Sequence, residues 1–324
     1  MSTITSFGYV NYSHSFFSLS TDNGYVCNIP IINNQEEVVA FNKKFHEEKP
    51  QKNCNFILNN DFISKIILYP CDGTLQSLLV QRDKTNSSEI TIATLDNQLV
   101  DTLKLLYYCD KIQWNPNEMG SEKIGCKQLN AIHIYDVEAG AVTQNFISND
   151  VIDFQWDKDN ENVIYTGDNY GLISIHDLRQ LNETKFGQKV NKCKKCQIEM
   201  LDNFIFITTT LGDCNIYDIR NQKIVTNFKL KSQYTPKDCL PISNKHINCP
   251  IFKVKYINNL YTYVYLYGTD FIVRKFQKNM ENCMEEEKLI QTRHVYSVND
   301  FHFHPTLAIL TSVSDRLDVC NLYY

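Results

Sequence analysis

A short β-strand motif that ends in aspartate recurs along this chain at a nearly constant interval. The copies are ITIATLD, IHIYD, ISIHD and CNIYD, which end at Asp96, Asp136, Asp177 and Asp218, so consecutive copies lie 40, 41 and 41 residues apart. An interval of roughly 40–45 residues is typical of proteins built from stacked supersecondary units that cannot bury their apolar faces alone.

A second marker follows a similar interval. It is an aromatic residue near the end of an earlier strand, at Tyr69 in KIILYP, Trp114 in KIQWNP and Trp156 in DFQWDK, with spacings of 45 and 42 residues. Two independent markers with one period indicate a true repeat. We expect Trp114 and Trp156 to be equivalent buried residues, within a repeat or between repeats.

Residues 151–179 show one complete unit. VIDFQW alternates apolar and polar residues as a half-buried strand does, and polar turns separate it from the strands VIYT and LISI. The turn at Gly167-Asp168-Asn169 uses residues that tolerate unusual backbone angles. The unit resembles a WD repeat in which His176-Asp177 stands for the closing Trp-Asp pair.

Repetition of this unit predicts an all-β fold, a seven-bladed β-propeller of WD-type repeats that uses residues 1–324 as one domain. The approximate blades are residues 4–45, 56–105, 106–146, 147–186, 189–230, 249–290 and 295–324. No helix of length is predicted, and EEVVAF is read as part of the first blade. Because the last blade stops after a third strand, we expect STITSF, from Ser2 to Phe7, to supply its fourth.

Aspartate also recurs in the turn between second and third strands. The positions are Asp22, Asp168, Asp270 and Asp315. An aspartate can accept hydrogen bonds from the backbone amides of its own turn, and we expect this structural role. The alternative is an acidic ring that binds cations.

The composition indicates in which compartment the protein is expected. The first lysine is Lys43, so no basic segment of a secretory signal is expected, and no run of about 18 apolar residues predicts a membrane span. The twelve cysteines are scattered singly, which favours reduced thiols in the cytoplasm or nucleus. We expect a cytoplasmic or nuclear protein.

Two short motifs could carry metal chemistry. Cys193 and Cys196 form a CxxC, with His246 and Cys249 as conceivable partners for zinc, but a following strand would point these two thiols to opposite faces. His302 and His304 could also ligate a metal. For FHFHP we prefer a strand with Phe301 and Phe303 toward the core and the histidines outward.

The chain has none of the usual catalytic signatures, since GxSxG, Walker, HExxH and GxGxxG patterns are all missing. We therefore expect no enzyme activity, no catalytic residue, no metal and no cofactor. A small-molecule ligand and nucleic acid are not expected either.

Positive charge is concentrated in one region. Residues 181–255 hold 13 Lys and Arg against six Asp and Glu, in a chain whose net charge is -5. Such an asymmetry suggests an acidic partner, and the other reading is ordinary solvated lysine. We take as the putative partner-binding basic face Lys192, Lys194, Lys195, Lys231 and Lys237.

Two known families share stretches with this sequence. The C-terminal half resembles propellers that include the mitotic-checkpoint partner of the Bub kinases and the mRNA-export factor of the Rae/Gle type, through VIYTGDNYGLISIHDLR, DNFIFITTTLGDCNIYDIRN and RHVYSVNDFHFHPTLAILTSVSD. The opening VNYSHSFFSLSTDNGYVCNIP is similar to the first blade of the phosphoinositide-binding autophagy propellers called PROPPINs. In the place of the paired arginines of that family stand Phe228 to Lys231.

The first resemblance and the fold imply a non-catalytic scaffold that binds the other proteins of a multiprotein complex, through acidic segments on this reading. The second resemblance implies the alternative, a phosphoinositide- or membrane-associated propeller of the autophagy type. Fold alone does not decide between these functions.

Overall fold

The protein is a seven-bladed β-propeller in a computed structural model. The structure describes residues 4–9, 16–21, 25–47, 56–57, 63–68, 77–83, 87–94, 99–105, 107–117, 122–129, 131–147, 151–180, 183–186, 196–209, 212–229, 251–277 and 288–322. Within these residues, seven antiparallel sheets follow one another in chain order, and we number them as blades 1 to 7.

Blade 1 contains β1 (Ile4–Tyr9), β2 (Phe16–Thr21), β3 (Tyr25–Pro30) and β4 (Phe56–Ile57), with the helix α1 (Gln35–Glu47) between β3 and β4. Blade 2 contains β5 (Ile63–Leu68), β6 (Ser77–Asp83), β7 (Ser88–Thr94) and β8 (Leu99–Lys104). Blade 3 contains β9 (Cys109–Trp114), β10 (Lys123–Gln128), β11 (Ala131–Asp136) and β12 (Ala141–Ile147).

Blade 4 contains β13 (Val151–Trp156), β14 (Val163–Asp168), β15 (Ile173–Asp177) and β16 (Glu183–Phe186). Blade 5 contains β17 (Cys196–Leu201), β18 (Phe204–Thr209), β19 (Asp213–Asp218) and β20 (Lys223–Lys229). Blade 6 contains β21 (Phe252–Ile257), β22 (Leu260–Tyr267), β23 (Asp270–Phe276) and β24 (Lys288–Ile290). Blade 7 has three strands among the described residues, β25 (Asp300–Phe303), β26 (Ile309–Val313) and β27 (Leu317–Asn321).

Asp136, Asp177 and Asp218 end third strands and hold the turn that follows, whereas Asp96 lies outside the described residues. The N–H of Arg179 donates to Asp177 Oδ1 at 3.0 Å, and the N–H of Ala139 donates to Asp136 Oδ1 at 2.9 Å. Asp218 Oδ1 accepts from the N–H two residues on at 2.8 Å. A carboxylate that accepts from the backbone ahead of it fixes the entry into the fourth strand.

The two tryptophans occupy equivalent buried positions, as predicted. Trp114 ends β9 and Trp156 ends β13, and they are 4% and 1% exposed. The Trp156 Nε1–H donates to the Gln113 carbonyl of the preceding blade at 3.3 Å. A Cβ added to Gly125 would lie 2.6 Å from Phe154 Cε2, so this glycine permits the close approach of blades 3 and 4.

The apolar core lies mainly between neighbouring blades. Blade 5 contributes Phe206 and blade 6 contributes Phe252 and Tyr263 to one cluster. Blade 2 contributes Leu79 to a cluster with Trp114 of blade 3. Each blade therefore buries its faces against its neighbours, which is the reason that the repeats must stack around an axis.

The expected clasp by the N-terminal strand was wrong. β1 pairs with β2 inside blade 1, with Phe7 opposite Leu19. Ile4 and Phe7 are both completely buried there. The residue pattern of this segment is that of a strand whose two faces are both covered. The segment is therefore the first strand of blade 1.

The predicted strand at EEVVAF was also wrong, because this segment lies in α1. Asn34 caps the helix: the Glu37 N–H donates to Asn34 Oδ1 at 2.9 Å, and Asn34 Nδ2–H donates to Glu37 Oε1 at 3.0 Å. This is an asparagine N-cap with a glutamate three residues later, a spacing that is readable in the sequence, and Glu37 Oε2 also accepts from the Asn33 N–H at 2.7 Å. The fourth strand of blade 1 is β4, which pairs with β3.

The structural role predicted for the turn aspartates is confirmed at Asp168, whose Oδ1 accepts from the N–H groups of Tyr170 and Leu172 at 2.8 and 2.9 Å. At Asp270 this role stays a prediction; the Thr292 N–H, from outside its turn, donates to Asp270 Oδ1 at 2.9 Å. The other two positions are Asp22, which lies outside the described residues, and Asp315, which pairs with Arg316.

Within the described parts of the chain, most cysteines are single buried thiols. Free thiols occur at Cys109, Cys126, Cys196, Cys214 and Cys320. Cys27 departs from the expectation of reduced cysteines, since it is disulfide-bonded.

Candidate functional site

Charged side chains converge on the axis of the propeller. First strands contact one another around this axis in the order β25, β1, β5, β9, β13, β17 and β21. In blades 1 to 4 an irregularity in the register of the first strand precedes the same position. Such a bulge turns the next side chain to a new direction, and the residues at this position are Ser6, Lys65, Lys111 and Asp153.

Asp153 joins three blades. Its Oδ1 lies 2.9 Å from Lys111 Nζ of blade 3, and its Oδ2 accepts from the Ile198 N–H of blade 5 at 2.7 Å. The Asp153 side chain is 6% exposed and that of Lys111 is 25% exposed. The carboxylate is therefore satisfied on both oxygens although it is buried.

Asp300 makes the corresponding link across the closure of the ring. Its Oδ2 accepts from Ser6 Oγ–H of blade 1 at 2.7 Å and from Lys65 Nζ of blade 2 at 2.6 Å. Burial alone would raise the pKa of this fully buried carboxyl. Although burial is the largest single effect, the Lys65 ammonium, His302 and Lys253 together outweigh it and hold the pKa of Asp300 well below its usual range.

Lys253 and His302 complete the axial cluster, which we define as Lys65, Lys111, Asp153, Lys253, Asp300 and His302. Burial lowers the pKa of Lys253, and the nearby Lys65 and Lys111 lower it further. Burial also lowers the pKa of His302 to about 4, although its Nε2 lies 3.4 Å from Asp300 Oδ1. His302 is thus neutral at pH 7 and contributes an uncharged ring to the cluster.

The orientation expected for FHFHP was wrong in its histidines. His302 faces the axis and makes an edge contact with Phe7 at 4.9 Å between ring centroids. His304 is 2% exposed, and its Nδ1 accepts from the Leu307 N–H at 3.0 Å. Phe301 is buried as expected. A first strand of a propeller is covered on both faces, so its polar side chains must find partners inside.

An apolar patch is exposed on one face of the propeller. We call this the upper face, where the turns between second and third strands and the links between blades emerge. Tyr107 and Tyr108 lie between β8 and β9 and are 53% and 37% exposed, and Leu129 follows β10 and is 60% exposed. These three residues form the aromatic patch.

Buried polar side chains hold the backbone of the aromatic patch. Gln128 Nε2–H donates to the Tyr107 carbonyl at 2.6 Å, and Lys127 Nζ donates to the Leu129 carbonyl at 3.0 Å. The Ser88 N–H donates to the same Tyr107 carbonyl at 3.2 Å. Leu129 has φ of 47°, a conformation that is uncommon for a bulky residue. The patch is thus rigidly presented, and the strain at Leu129 is of the kind often found at functional positions.

The proposed basic face cannot be placed on this fold. Its five lysines lie outside the described residues, and its role stays a prediction. Two other lysines of the same region are partly buried. Lys253 interacts electrostatically with Asp300, Lys65 and Lys111, and Lys255 Nζ donates to the carbonyls of His304 and Pro305 at 2.6 and 2.8 Å. The surface charge of the region is therefore smaller than its sequence indicates.

Two of the four residues compared with the lipid motif of PROPPINs are described, and both make contacts within the fold. The Phe228 ring lies 5.4 Å from Tyr263 and 4.4 Å from the guanidinium carbon of Arg274. Lys229 Nζ lies 3.3 Å from Asp213 Oδ1. Leu230 and Lys231 lie outside the described residues. Phe228 is thus used in packing, and the exposed Lys229 is paired with an aspartate of its own blade.

The cysteine pair is described only at its second member. Cys196 begins β17, is 3% exposed, and its thiol lies 3.5 Å from the Asp168 carbonyl. Across the described parts of the chain, no group of three or more His, Cys, Asp or Glu side chains could hold a metal ion. No helix within those parts is long and apolar enough to cross a membrane.

Sequence reasoning missed both the axial cluster and the aromatic patch. A signal for the cluster exists, since Lys111 and Asp153 each stand three residues before the tryptophan that marks their repeat. For the patch the only local signal is the adjacent pair Tyr107-Tyr108. Its exposure depends on where the link between two blades runs.

Comparison with solved structures supports the fold. The chain is similar to the C-terminal WD40 domain of Sif2, with a TM-score of 0.62, 9% sequence identity, and coverage of 100% of this chain and 97% of that domain. At this identity the likeness shows the fold alone. No family model matches the chain, and no curated protein matches it.

Proposed function

We propose that the protein is a non-catalytic scaffold for protein–protein interactions, and that the aromatic patch on the upper face is one of its contact surfaces. The observation that supports this most directly is the combination of exposure and rigidity at Tyr107 and Leu129. Tyrosines on a fixed backbone offer a large contact area at little cost in conformational entropy.

The axial cluster supports a structural use of the ring rather than a catalytic one. Its carboxylates at Asp153 and Asp300 are each shared among three blades. Groups that are saturated by structural partners are poor candidates for acid–base chemistry. They give the ring a fixed geometry on which surface loops can present partner sites.

The test compares two variants of the patch with a control. Tyr107→Ala removes the most exposed ring, and Leu129→Asn removes the apolar side chain while placing a residue that tolerates positive φ. The control is Tyr256→Ala, since Tyr256 is also a surface tyrosine and is 38% exposed. Partners are first identified by affinity purification and quantitative mass spectrometry, and their binding to each purified variant is then measured.

We expect the double variant Tyr107→Ala/Leu129→Asn to weaken binding of at least one partner by about tenfold or more, because a central tyrosine is often worth 2 kcal/mol at an interface. Its melting temperature should stay close to that of the wild type. Unchanged binding of every partner by the double variant, or an equal loss in the control, would contradict the role of the patch.

We further propose that an acidic segment of a partner docks on the basic face. Replacement of Lys192, Lys194, Lys195, Lys231 and Lys237 by Glu should slow association and reverse its salt dependence, because the attraction to an acidic segment becomes a repulsion that salt screens. The association rate is measured between about 50 and 300 mM salt, where the Debye length shortens. A salt dependence equal to that of the wild type would show that these lysines are ordinary solvated surface.

A further inference from the structure

Lys253 differs from the other two lysines of the axial cluster in its contacts. Lys65 Nζ lies 2.6 Å from Asp300 Oδ2. Lys111 Nζ lies 2.9 Å from Asp153 Oδ1. Lys253 Nζ forms neither a hydrogen bond nor an ion pair with any residue that the structure describes. Within the described residues, the cluster therefore contains one ammonium group whose charge is not matched by a contacting carboxylate.

The surroundings of Lys253 disfavour its positive charge. The residue lies on β21, the first strand of blade 6, and its side chain is partly buried. Burial lowers the pKa of Lys253, and the ammonium groups of Lys65 and Lys111 lower it further. The carboxylates of Glu199 and Asp300 act in the opposite direction, but the pKa stays below its usual value. The fold thus compensates the charge of this ammonium group only in part.

The carboxylates near Lys253 are held by other groups. Besides its contacts through Oδ2, Asp300 accepts from the Phe301 N–H through Oδ1 at 3.0 Å. Glu199 Oε1 accepts from Gln197 Nε2–H at 2.8 Å, and Gln197 Oε1 accepts from the Ile251 N–H at 2.6 Å. Either carboxylate would give up a hydrogen bond if it turned toward Lys253. Their positions are therefore fixed by the fold.

An ammonium group in this position lowers the stability of the fold, because moving a charge out of water costs free energy unless a partner compensates for it. At pH 7 the axial cluster has three lysines against two aspartates, since His302 is neutral. Glu199 offsets this excess only from a distance. Side chains that break the rules of charge pairing are expected at functional sites, and an excess of positive charge attracts an anion.

The three lysines approach the axis from opposite sides. In the ring of seven first strands, β21 with Lys253 lies opposite β5 with Lys65 and β9 with Lys111. The side chains of Lys65 and Lys111 are 24% and 25% exposed, so solvent reaches them. An ammonium group is a compact charge with three N–H donors. A tetrahedral oxyanion has oxygens that point in several directions, so it can accept from both sides of the axis, whereas a carboxylate has only two oxygens in one plane.

We propose that the axis of the propeller is a binding site for a small tetrahedral oxyanion of the phosphate type, which Lys253 binds directly. The anion supplies the partner that Lys253 lacks among the described residues. The ammonium groups of Lys65 and Lys111 each have more N–H groups than their aspartate uses, so they can donate to the same anion. The bound anion joins blade 6 to blades 2 and 3 across the axis. This site is separate from the aromatic patch and does not depend on the proposed scaffold function.

The experiment titrates inorganic phosphate into the full chain at pH 7, with sodium chloride adjusted so that the ionic strength stays constant. Binding is measured by calorimetry, and the melting temperature is measured in phosphate and in chloride alone. The variant is Lys253→Met. The control is Lys229→Met, because the Lys229 side chain is 66% exposed and pairs with Asp213 on blade 5.

We expect phosphate to bind the wild type and to raise its melting temperature. Lys253→Met should weaken phosphate binding by about tenfold or more, because it removes a hydrogen bond between two charged groups, and Lys229→Met should match the wild type. Without phosphate, Lys253→Met should melt at the temperature of the wild type or above it, since an incompletely compensated charge is removed.

A second variant changes affinity in the other direction. Glu199→Gln removes a negative charge near Lys253 and keeps an oxygen that can accept from Gln197, so it should bind phosphate about threefold more tightly or better. It leaves all three lysines in place and therefore tests the site even if Lys253→Met does not fold. Sulfate should compete with phosphate for the site, and acetate should compete much less.

Four results would each overturn the proposal. Phosphate may act no differently from chloride at equal ionic strength, or Lys253→Met may keep the phosphate affinity of the wild type. Glu199→Gln may fail to bind phosphate more tightly, or acetate may compete as well as sulfate does. A lower melting temperature of Lys253→Met in the absence of phosphate would equally contradict it, because Lys253 would then be a structural residue.

Discussion

Removal of the Asp300 carboxylate should destabilise the whole ring, because this group joins blade 7 to blades 1 and 2. In Asp300→Asn the side chain keeps its size but loses its charge, so Lys65 loses the partner that lies 2.6 Å away. Breaking a buried ion pair on one side costs about 3–5 kcal/mol. Since the Lys65 side chain is 24% exposed, water recovers part of this cost, and we expect a loss of about 2–3 kcal/mol.

The loss is measured as a change in the free energy of unfolding by chemical denaturation at pH 7, and as a decrease in melting temperature of roughly 4–10 °C. A double-mutant cycle with Lys65→Met separates the pair from other effects. The coupling should be about 1–3 kcal/mol, as is usual for two groups in direct contact within one network. Lys158→Met is the control, because its pair with Asp202 spans 3.7 Å and both side chains are nearly half exposed.

The stabilisation by the Asp300 carboxylate also depends on pH. The folded pKa of Asp300 lies below the usual value near 3.9, so the contribution of the carboxylate is complete above that value and is lost as pH falls toward the folded pKa. The difference between wild type and Asp300→Asn should therefore shrink as pH decreases below about 4. A difference that is absent at pH 7, or a cycle with no coupling, would refute this account of the axial cluster.

Two other predictions concern buried groups. Trp156→Ala should cost about 3–5 kcal/mol in the free energy of unfolding, because Trp156 is 1% exposed and packs between blades 3 and 4, and a loss of partner binding at full stability would reverse this assignment. Burial lowers the pKa of His294 from its usual 6.5 to about 4, so the unfolded chain takes up a proton there before the folded chain does. Stability should fall between pH 6.5 and 4 with a slope of up to about 1.4 kcal/mol per pH unit from this residue, and His294→Gln, which can retain the contact with Ser312, should show a smaller slope in pH-dependent unfolding.

Local sequence patterns predicted the repeating unit well. The aspartates at Asp136, Asp177 and Asp218 end third strands, and Trp114 and Trp156 end first strands, because the alternation of buried positions is a property of short stretches. The helix α1 was not predicted from the sequence, because EEVVAF contains a β-branched pair and such residues favour a strand. The better local signal was Asn34, a preferred N-cap residue, followed three residues later by Glu37.

The candidate sites were less predictable. Lysines that a count of charge assigns to the surface can turn inward, as Lys255 does when it donates to the carbonyls of His304 and Pro305. A strand that reads as half-buried can have contacts from other blades on its polar side, as at His302, whose ring packs against Phe7. In both cases the sequence shows the type of residue and its position in the repeat. It does not show which residue it contacts, because that residue belongs to another blade.

By itself, the sequence determined that this chain repeats a four-stranded unit about every 41 residues, and that the units must close around an axis to bury their faces. Only the tertiary structure decided how the ring is joined. Lys65 and Asp300 are 235 residues apart, and Asn42 and Leu317 are 275 residues apart. A period reports which face of an element is buried, because that depends on neighbours within a few residues. The period does not show which distant element covers that face, because that contact forms only when the first and last blades come together.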